Sequence, residues 1–195
     1  MRDGYTDLPP GKFAAVVTYL EMRTPPPDVP TLTMSEFVIR RVTHPGLDWY
    51  RRLYRRIGEP WLWFSRLRAS DDELRATLDD PALDIFALSY AGEDHGLLEF
   101  DRRYMPDIEI AFFGVTTEML GKGAGRALLA HGLAAAWKHK PQRIWLHTCT
   151  SDHPSALPFY LKCGFVAYKR AIEIADDPRL TGEMPRTAAP HVPIL

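Results

Sequence analysis

The chain has 195 residues and a mass of 22.2 kDa, which at roughly 100–200 residues per domain predicts a single domain over residues 1–195. It carries 24 Lys and Arg against 25 Asp and Glu, a formal net charge of -1, which argues against a protein built on nonspecific binding of phosphate or nucleic acid. No run reaches the ~18 apolar residues of a membrane span, the opening MRDGYTDLPPGKF lacks the layout of a signal peptide, and two cysteines, Cys149 and Cys163, make no disulfide framework, so the expected compartment is the reducing cytoplasm.

Phe13–Met22 (FAAVVTYLEM) reads as a strand between proline-marked connectors, Pro9-Pro10 on one side and Pro25-Pro26-Pro27 with Pro30 on the other. Phe37–Val42 is a second, short strand. Pro45 is placed to open a helix in which Leu47, Tyr50, Leu53, Tyr54 and Ile57 recur at helical spacing, with Arg51, Arg52, Arg55 and Arg56 on the other side. Those arginines read as a solvated face or as partners for an acidic or phosphate group. The aromatic stretch Trp61-Leu62-Trp63-Phe64 follows, and Ser70 with Glu73 forms an S-x-x-E capping box for a second helix.

The pattern then changes. Asp84–Tyr90, Gly96–Arg102 and Ile108–Val115 are apolar, strand-like runs divided by turns at Ala91–Asp94 and Pro106-Asp107, which predicts an antiparallel meander. A glycine-rich turn comes next, then a helix through Leu128, Leu129, Leu133 and Trp137. Arg143–Cys149 reads as a strand, Pro154–Cys163 as a helix and Phe165–Ile174 as a last strand. Residues 183–195 look like an irregular arm. The fold class is a layered α/β (α+β) sheet, with Phe13–Met22 expected beside Phe165–Ile174. Free pairing of Phe13–Met22 with another chain is the alternative.

Phe112–Leu129 (FFGVTTEMLGKGAGRALL) is the most informative segment. A strand runs into a glycine turn that opens a helix. Glycines let backbone approach a ligand closely, and the unpaired first-turn N–H groups with the helix dipole make an anion site, most naturally for phosphate. Lys122 and Arg126 add positive charge. A P-loop is excluded, because Gly121-Lys122 is followed by Gly123 and position 116 is Thr116 rather than glycine. A dinucleotide fingerprint is excluded too, because the third glycine would fall at Arg126 or Leu128. A helix entry without any ligand remains the alternative.

On these residues the chain resembles the GNAT superfamily of acyl-CoA-dependent N-acyltransferases, whose signature turn is Q/R-x-x-G-x-G/A. The matching segment is Leu120-Gly121-Lys122-Gly123-Ala124-Gly125, with Leu120 in place of Gln or Arg. A second family motif, N-x-x-A-x-x-F-Y-x-x-x-G-F, is matched by His153, Ala156, Phe159, Tyr160, Gly164 and Phe165, with His153 in place of Asn. The resemblance covers residues 37–174. WYRRLYRRIGEPWLWFSRL and WLHTCTSDHPSALPFYLKCGF look like bacterial members mostly without an assigned acceptor.

The resemblance implies a mixed, mostly antiparallel sheet splayed at its middle, with acetyl-CoA as co-substrate in the splay and no metal. Backbone at Phe113, Gly114 and Val115 would pair with the pantetheine amides. Gly121, Lys122, Gly123, Ala124, Gly125 and Arg126 would hold the pyrophosphate, in a helix taken as residues 121–139, and His153 would meet the pantetheine arm. Glutamate at the offset of Glu109 from the glycine turn is the general base in histone-acetylating members.

Acetyl transfer to an amine needs a base to supply the neutral amine and an acid for the leaving thiolate. Glu109 is the first candidate for the base, on a strand face expected to include Ala111, Phe113 and Val115. A solvent-facing carboxylate, or one paired with Arg102 or Arg103, is the alternative reading, and Glu99 on the neighbouring strand is the rival, as a base or as an anchor for the substrate amine. Tyr160 matches the family tyrosine that protonates the CoA sulfur, against a plain core tyrosine. His147, Cys149 and His153 fit no common zinc spacing, and a cysteine nucleophile would need a lowered pKa.

Trp61, Trp63 and Phe64 lie where the family walls its acceptor pocket, or they pack the core. The expected activity is transfer of an acetyl group from acetyl-CoA to a primary amine of a small molecule or peptide. A non-catalytic acyl-CoA-binding protein is the alternative that Leu120 and His153 raise. A second copy of the chain is a candidate partner.

Overall fold

The computed structural model describes residues 3–26 and 36–195. Seven strands form one sheet in the order β2-β3-β4-β5-β6-β1-β7. They are β1 (Lys12–Met22), β2 (Phe37–Val42), β3 (Leu83–Tyr90), β4 (Glu93–Asp101), β5 (Asp107–Val115), β6 (Arg143–Cys149) and β7 (Val166–Asp176). The helices are α1 (Leu47–Gly58), α2 (Ser65–Arg68), α3 (Asp71–Leu78), α4 (Ala124–Ala136), α5 (Ala156–Lys162) and α6 (Pro178–Thr181). Neighbouring strands are antiparallel except β5 and β6. Of the proline connectors, Pro27 and Pro30 lie outside the described residues.

The elements follow the sequence with small shifts at their ends. Helix α1 begins at Leu47 after Gly46, two residues past Pro45, and α4 begins at Ala124 rather than in the glycine turn itself. Helix α5 starts at Ala156, with Pro154 ahead of it. The capping box forms as read: Ser70 Oγ accepts from the Glu73 N–H and Glu73 reaches back to the Ser70 N–H. Between β3 and β4 the turn contracts to Ala91 and Gly92, both at positive φ, which is the twist a two-residue hairpin requires.

Two cores lie on opposite faces of the sheet. On one face α4 packs Leu128, Leu129 and Leu133 against Phe86, Leu98, Phe100, Ile144 and Leu146. Gly132 allows this approach, since a Cβ there would sit 2.2 Å from Leu98. On the other face α1 and α3 bury Tyr50, Leu53, Tyr54, Ile57, Leu74 and Leu78 against Ile85 and Leu97. Each such buried aliphatic side chain contributes about 1.5–3 kcal/mol relative to exposure.

Strand β1 lies between β6 and β7, with Tyr19 opposite both His147 and Lys169. It is thus beside β7 as expected, and both its edges are occupied, so free edge pairing of Phe13–Met22 is ruled out. The arm over 183–195 is irregular but packed. Arg179 is buried against Asp177 and donates through Nη1 to the carbonyls of Ala188, Ala189 and Val192 (3.2, 3.3 and 2.7 Å). Met184, Ala188 and Ala189 then close a third small core with Phe13 and Leu62.

Candidate functional site

The site begins where β5 and β6 part. They pair only through Asp107–Glu109 against Arg143–Trp145, and β5 runs on to Val115 with its β6-facing edge unpaired among the described residues. A cavity of about 690 Å³ fills the gap, from the glycine turn at one end to Phe13, Phe64 and Glu173 at the other.

At the glycine-turn end, Gly121 and Gly123 have φ of 75° and 80°, where a side chain would be strained. The helical ladder of α4 opens with Ala127 N–H donating to the Gly123 carbonyl (3.0 Å), so the N–H groups of Ala124, Gly125 and Arg126 precede it. Gly121, Gly123, Gly125 and Arg126 line the cavity. Two expected contributors do not. The Ala124 side chain is buried in the α4 core, leaving only its N–H to act, and Lys122 turns its ammonium over the Tyr90 ring at 5.6 Å. Leu120, standing where the signature has Gln or Arg, is exposed at the cavity lip. Arg56 also borders this end, while Arg51 is tied to Asp71 and Arg52 and Arg55 form the solvated face.

The strand face expected around Glu109 is corrected by a bulge. Phe100 pairs with Ile110 but Glu99 pairs with Phe112, so Ala111 is an extra residue. The alternation reverses there. Glu109 shares its face with Phe112 and Gly114, whose missing Cβ makes room for Ile57 and Trp63. Phe113 joins the α4 core, beside Phe159 and Tyr160. The bulge turns residues on both faces of β5 toward the gap, and Glu109, Phe113, Gly114 and Val115 all line the cavity.

Glu109 is half-buried. Burial and the neighbouring Asp101 carboxylate raise its pKa above the ordinary carboxylate value, against the lowering effect of Arg103 and Arg66. It has no ion-pair partner within 4 Å among the described residues. Arg103 is engaged by Asp101 (2.5 Å) and Arg102 by Asp84 (2.6 Å), which disposes of the paired-carboxylate reading. Glu99, the rival base, is fully buried. It accepts from the Tyr50 hydroxyl and from Arg66 Nη2 (3.0 Å) and does not line the cavity. Its carboxylate is structural, and it cannot reach an acceptor. The Tyr50–Glu99–Arg66 cluster, with the Arg66 guanidinium 5.1 Å from the Phe112 ring, supports the wall instead.

Tyr160 is buried among Phe113, Phe159 and Phe165 and still borders the cavity. Burial and the Asp152 carboxylate push its pKa well above the ordinary phenol value, so its proton is held at neutral pH. His153 accepts the Ser155 N–H at Nδ1 (3.1 Å), so in the neutral ring Nε2 carries the proton and can donate it. Its ring meets Trp61 edge-on at 5.0 Å.

Sequence reasoning missed Asp152. Its carboxylate accepts from Thr148 Oγ1 (2.7 Å), the Cys149 N–H (2.8 Å) and Trp63 Nε1 (3.4 Å), tying the loop after β6 to the aromatic stretch. An Asp closing a turn onto backbone three residues back is the only signal the sequence held. Trp61, Trp63 and Phe64 both wall the cavity and pack, with Trp63 seated on Gly58 and Gly114. Burial pushes the Cys149 thiol up to about 11 and raises Cys163, the reverse of what a nucleophile needs. His147 lines the cavity as a neutral imidazole, its pKa lowered by burial. Among the described residues no group of His, Cys, Asp and Glu is arranged to hold a metal, and no helix is long and apolar enough to cross a membrane.

No curated protein matches the chain. Among solved structures it is similar to an acetyltransferase of the GNAT family from Novosphingobium aromaticivorans (18% identity, TM-score 0.57, 86% of this chain and 67% of that one). It is also similar to a GCN5-related N-acetyltransferase from Sphaerobacter thermophilus (17% identity, TM-score 0.61, 84% of this chain and 52% of that one). A third is an aminoglycoside acetyltransferase from an uncultured soil metagenomic sample, in complex with trehalose (17% identity, TM-score 0.59, 72% of this chain and 95% of that one). The chain therefore spans between half and the whole of the length of these structures. At such identities they establish the seven-stranded, mostly antiparallel fold. The profile of the acetyltransferase (GNAT) family matches residues 47–165, from α1 to the end of the second motif, and the chain belongs to that family.

Proposed function

We propose that the chain moves an acetyl group from acetyl-CoA to a primary amine of a small molecule or peptide, by direct attack with both substrates bound. The observation that carries this reading is a single cavity that holds the unpaired edge of β5, the open first turn of α4, Glu109 and Tyr160 together. The cavity fits acetyl-CoA on its own features. N–H groups of residues 123–126 and the α4 dipole suit the pyrophosphate. The free edge at Phe113–Val115 suits an extended chain with amide groups, which pairs as a short strand would. His153 Nε2 donates toward the same arm. Bound there, acetyl-CoA supplies the activated acyl carbon.

Glu109 takes the proton of the incoming ammonium. Its pKa, raised by burial and by the Asp101 carboxylate, makes it a better proton acceptor than an ordinary carboxylate. The neutral amine forms the C–N bond to the acyl carbon, and as the C–S bond breaks Tyr160 gives its hydroxyl proton to the departing sulfur and regains one from the nitrogen that becomes the amide. Protonated Cys149 and Cys163 favour direct transfer over a covalent acyl-enzyme. Carboxylates spread along the cavity lining, Glu109 where β5 and β6 part and Glu173 on β7, suit a cationic acceptor, and the composition suits the cytoplasm.

The test is release of free CoA thiol from acetyl-CoA across a broad panel of amines. Turnover with at least one amine, lost in Glu109→Gln, is expected. Saturable acetyl-CoA binding with no turnover on any amine would instead favour a binding or sensing role, the reading that exposed Leu120 motivates.

A further inference from the structure

The two edges of the sheet differ. Edge strand β2 has six residues, and its Arg40 and Arg41 are drawn back onto the sheet by Asp94 and Asp84. Edge strand β7 has eleven, and no described residue pairs with its outer side. Val166, Ile172 and Ile174 are 65%, 47% and 54% exposed, with Val16 of β1 beside Ile172 at 44%. A long edge with exposed apolar side chains is a template for another strand.

Symmetry restricts how a second copy can pair there. A two-fold axis normal to the sheet keeps each side chain on its own face, and opposing residues of an antiparallel ladder share a face, so one residue must face its own copy at the axis. Lys169, Arg170 or Glu173 at the axis would set like charges against each other. Of the central residues Lys169–Glu173, Ala171 and Ile172 remain. Ala171 is the midpoint of Val166–Asp176 and brings a small side chain to the axis. With Ala171 there, Lys169 faces Glu173 of the partner subunit and Glu173 faces Lys169 of the partner subunit, two opposite-charge pairs. With Ile172 there, neither pair forms. With Ala171 at the axis, Arg170 also lies across from Ile172 of the partner subunit and can cover it with its methylenes. The bulge at Tyr168 confines the regular ladder to Lys169–Glu173.

We propose that the chain forms a two-fold homodimer in which β7 pairs antiparallel with its copy about Ala171, each Lys169 facing the other subunit's Glu173. Glu173 borders the far end of the cavity, so this pairing sets a cation of the partner at the rim of the acceptor end. The dimer stands on the edge alone and is tested without any assay of acetyl transfer.

Sedimentation velocity from about 1 to 100 μM tests it. The unaltered chain gives a concentration-dependent monomer–dimer equilibrium. Lys169→Glu and Glu173→Lys each weaken it at least about tenfold, and the double reversal restores it because the pairs re-form with signs exchanged. Ala171→Glu, which sets two carboxylates face to face on the axis, dissociates it as well. All these positions are exposed or half-buried, and unchanged melting curves show that the variants fold. A chain that stays monomeric throughout, a dimer unmoved by the single reversals, or a double reversal that fails to restore it overturns the proposal.

Discussion

The glycine-turn end of the cavity and the Glu109 end are made of different material. At the first, the groups facing the gap are mainly backbone: the N–H groups that open α4, the free edge of β5, and glycines at positive φ that let a ligand approach. At the second, they are side chains, with Asp101 held on Arg103 and Glu109 without an ion-pair partner among the described residues. A backbone site tolerates side-chain replacement, which on the proposed reading lets Leu120 stand where the signature has Gln or Arg. A side-chain site does not, because removing one member strands its neighbours.

The largest effect is expected at the Glu109 end. Glu109→Gln should lower kcat by about 10²–10⁴-fold, the usual worth of a positioned base, and leave acetyl-CoA affinity unchanged by titration. An equal loss of affinity would erase the distinction between the two ends. The same variant has a second, opposite signature. The pKa of Glu109 is raised in the folded state above its ordinary 4.5. The native state therefore binds the proton more tightly than the unfolded chain, and the carboxylate costs stability as pH rises through that window. Glu109→Gln should then raise Tm at neutral pH and change it little below pH about 4. A lower Tm at neutral pH would show that the carboxylate holds a structural partner.

Next comes the cluster beneath the wall. Arg66→Ala leaves Glu99 buried and unpaired and should cost about 3–5 kcal/mol in denaturant unfolding, the penalty of breaking a buried ion pair. Tyr160→Phe should lower kcat on the order of 10²-fold with acetyl-CoA affinity held, since the hydroxyl acts on the leaving group. A normal kcat would reduce Tyr160 to packing. Gly123→Ala strains a φ of 80° by about 1–2 kcal/mol and should weaken acetyl-CoA several-fold without moving the KM of the acceptor. The smallest effect belongs to His153→Ala, where one hydrogen bond of about 1 kcal/mol is lost and the acetyl-CoA KM should rise roughly fivefold.

The glycine-turn end was legible in the sequence and the Glu109 end only partly so. The glycine turn, Tyr160 and His153 are contiguous features, each readable within a dozen residues. What could not be read depends on partners far along the chain. The bulge at Ala111 exists only in the pairing of β5 with β4, and an apolar run such as Ile108–Val115 carries no mark of an extra residue. That is why the expected face of Glu109 is wrong beyond the bulge, while Glu109 itself lines the cavity. The burial of Glu99 is set by Tyr50 and Arg66, 49 and 33 residues away. Strand β1 completes the sheet between β6 and β7, a position that local pattern leaves open. The arm at 183–195 reads as loose because its anchor, Arg179, acts through backbone carbonyls rather than through an apolar pattern.

The most direct test of the backbone-built donor end is calorimetric titration with acetyl-CoA, with NAD and desulfo-CoA as companions, on the unaltered chain and on Glu109→Gln. Saturable one-to-one binding of acetyl-CoA to both, and none of NAD, is the predicted result. No binding of acetyl-CoA to the unaltered chain, or binding that disappears with Glu109, would contradict it.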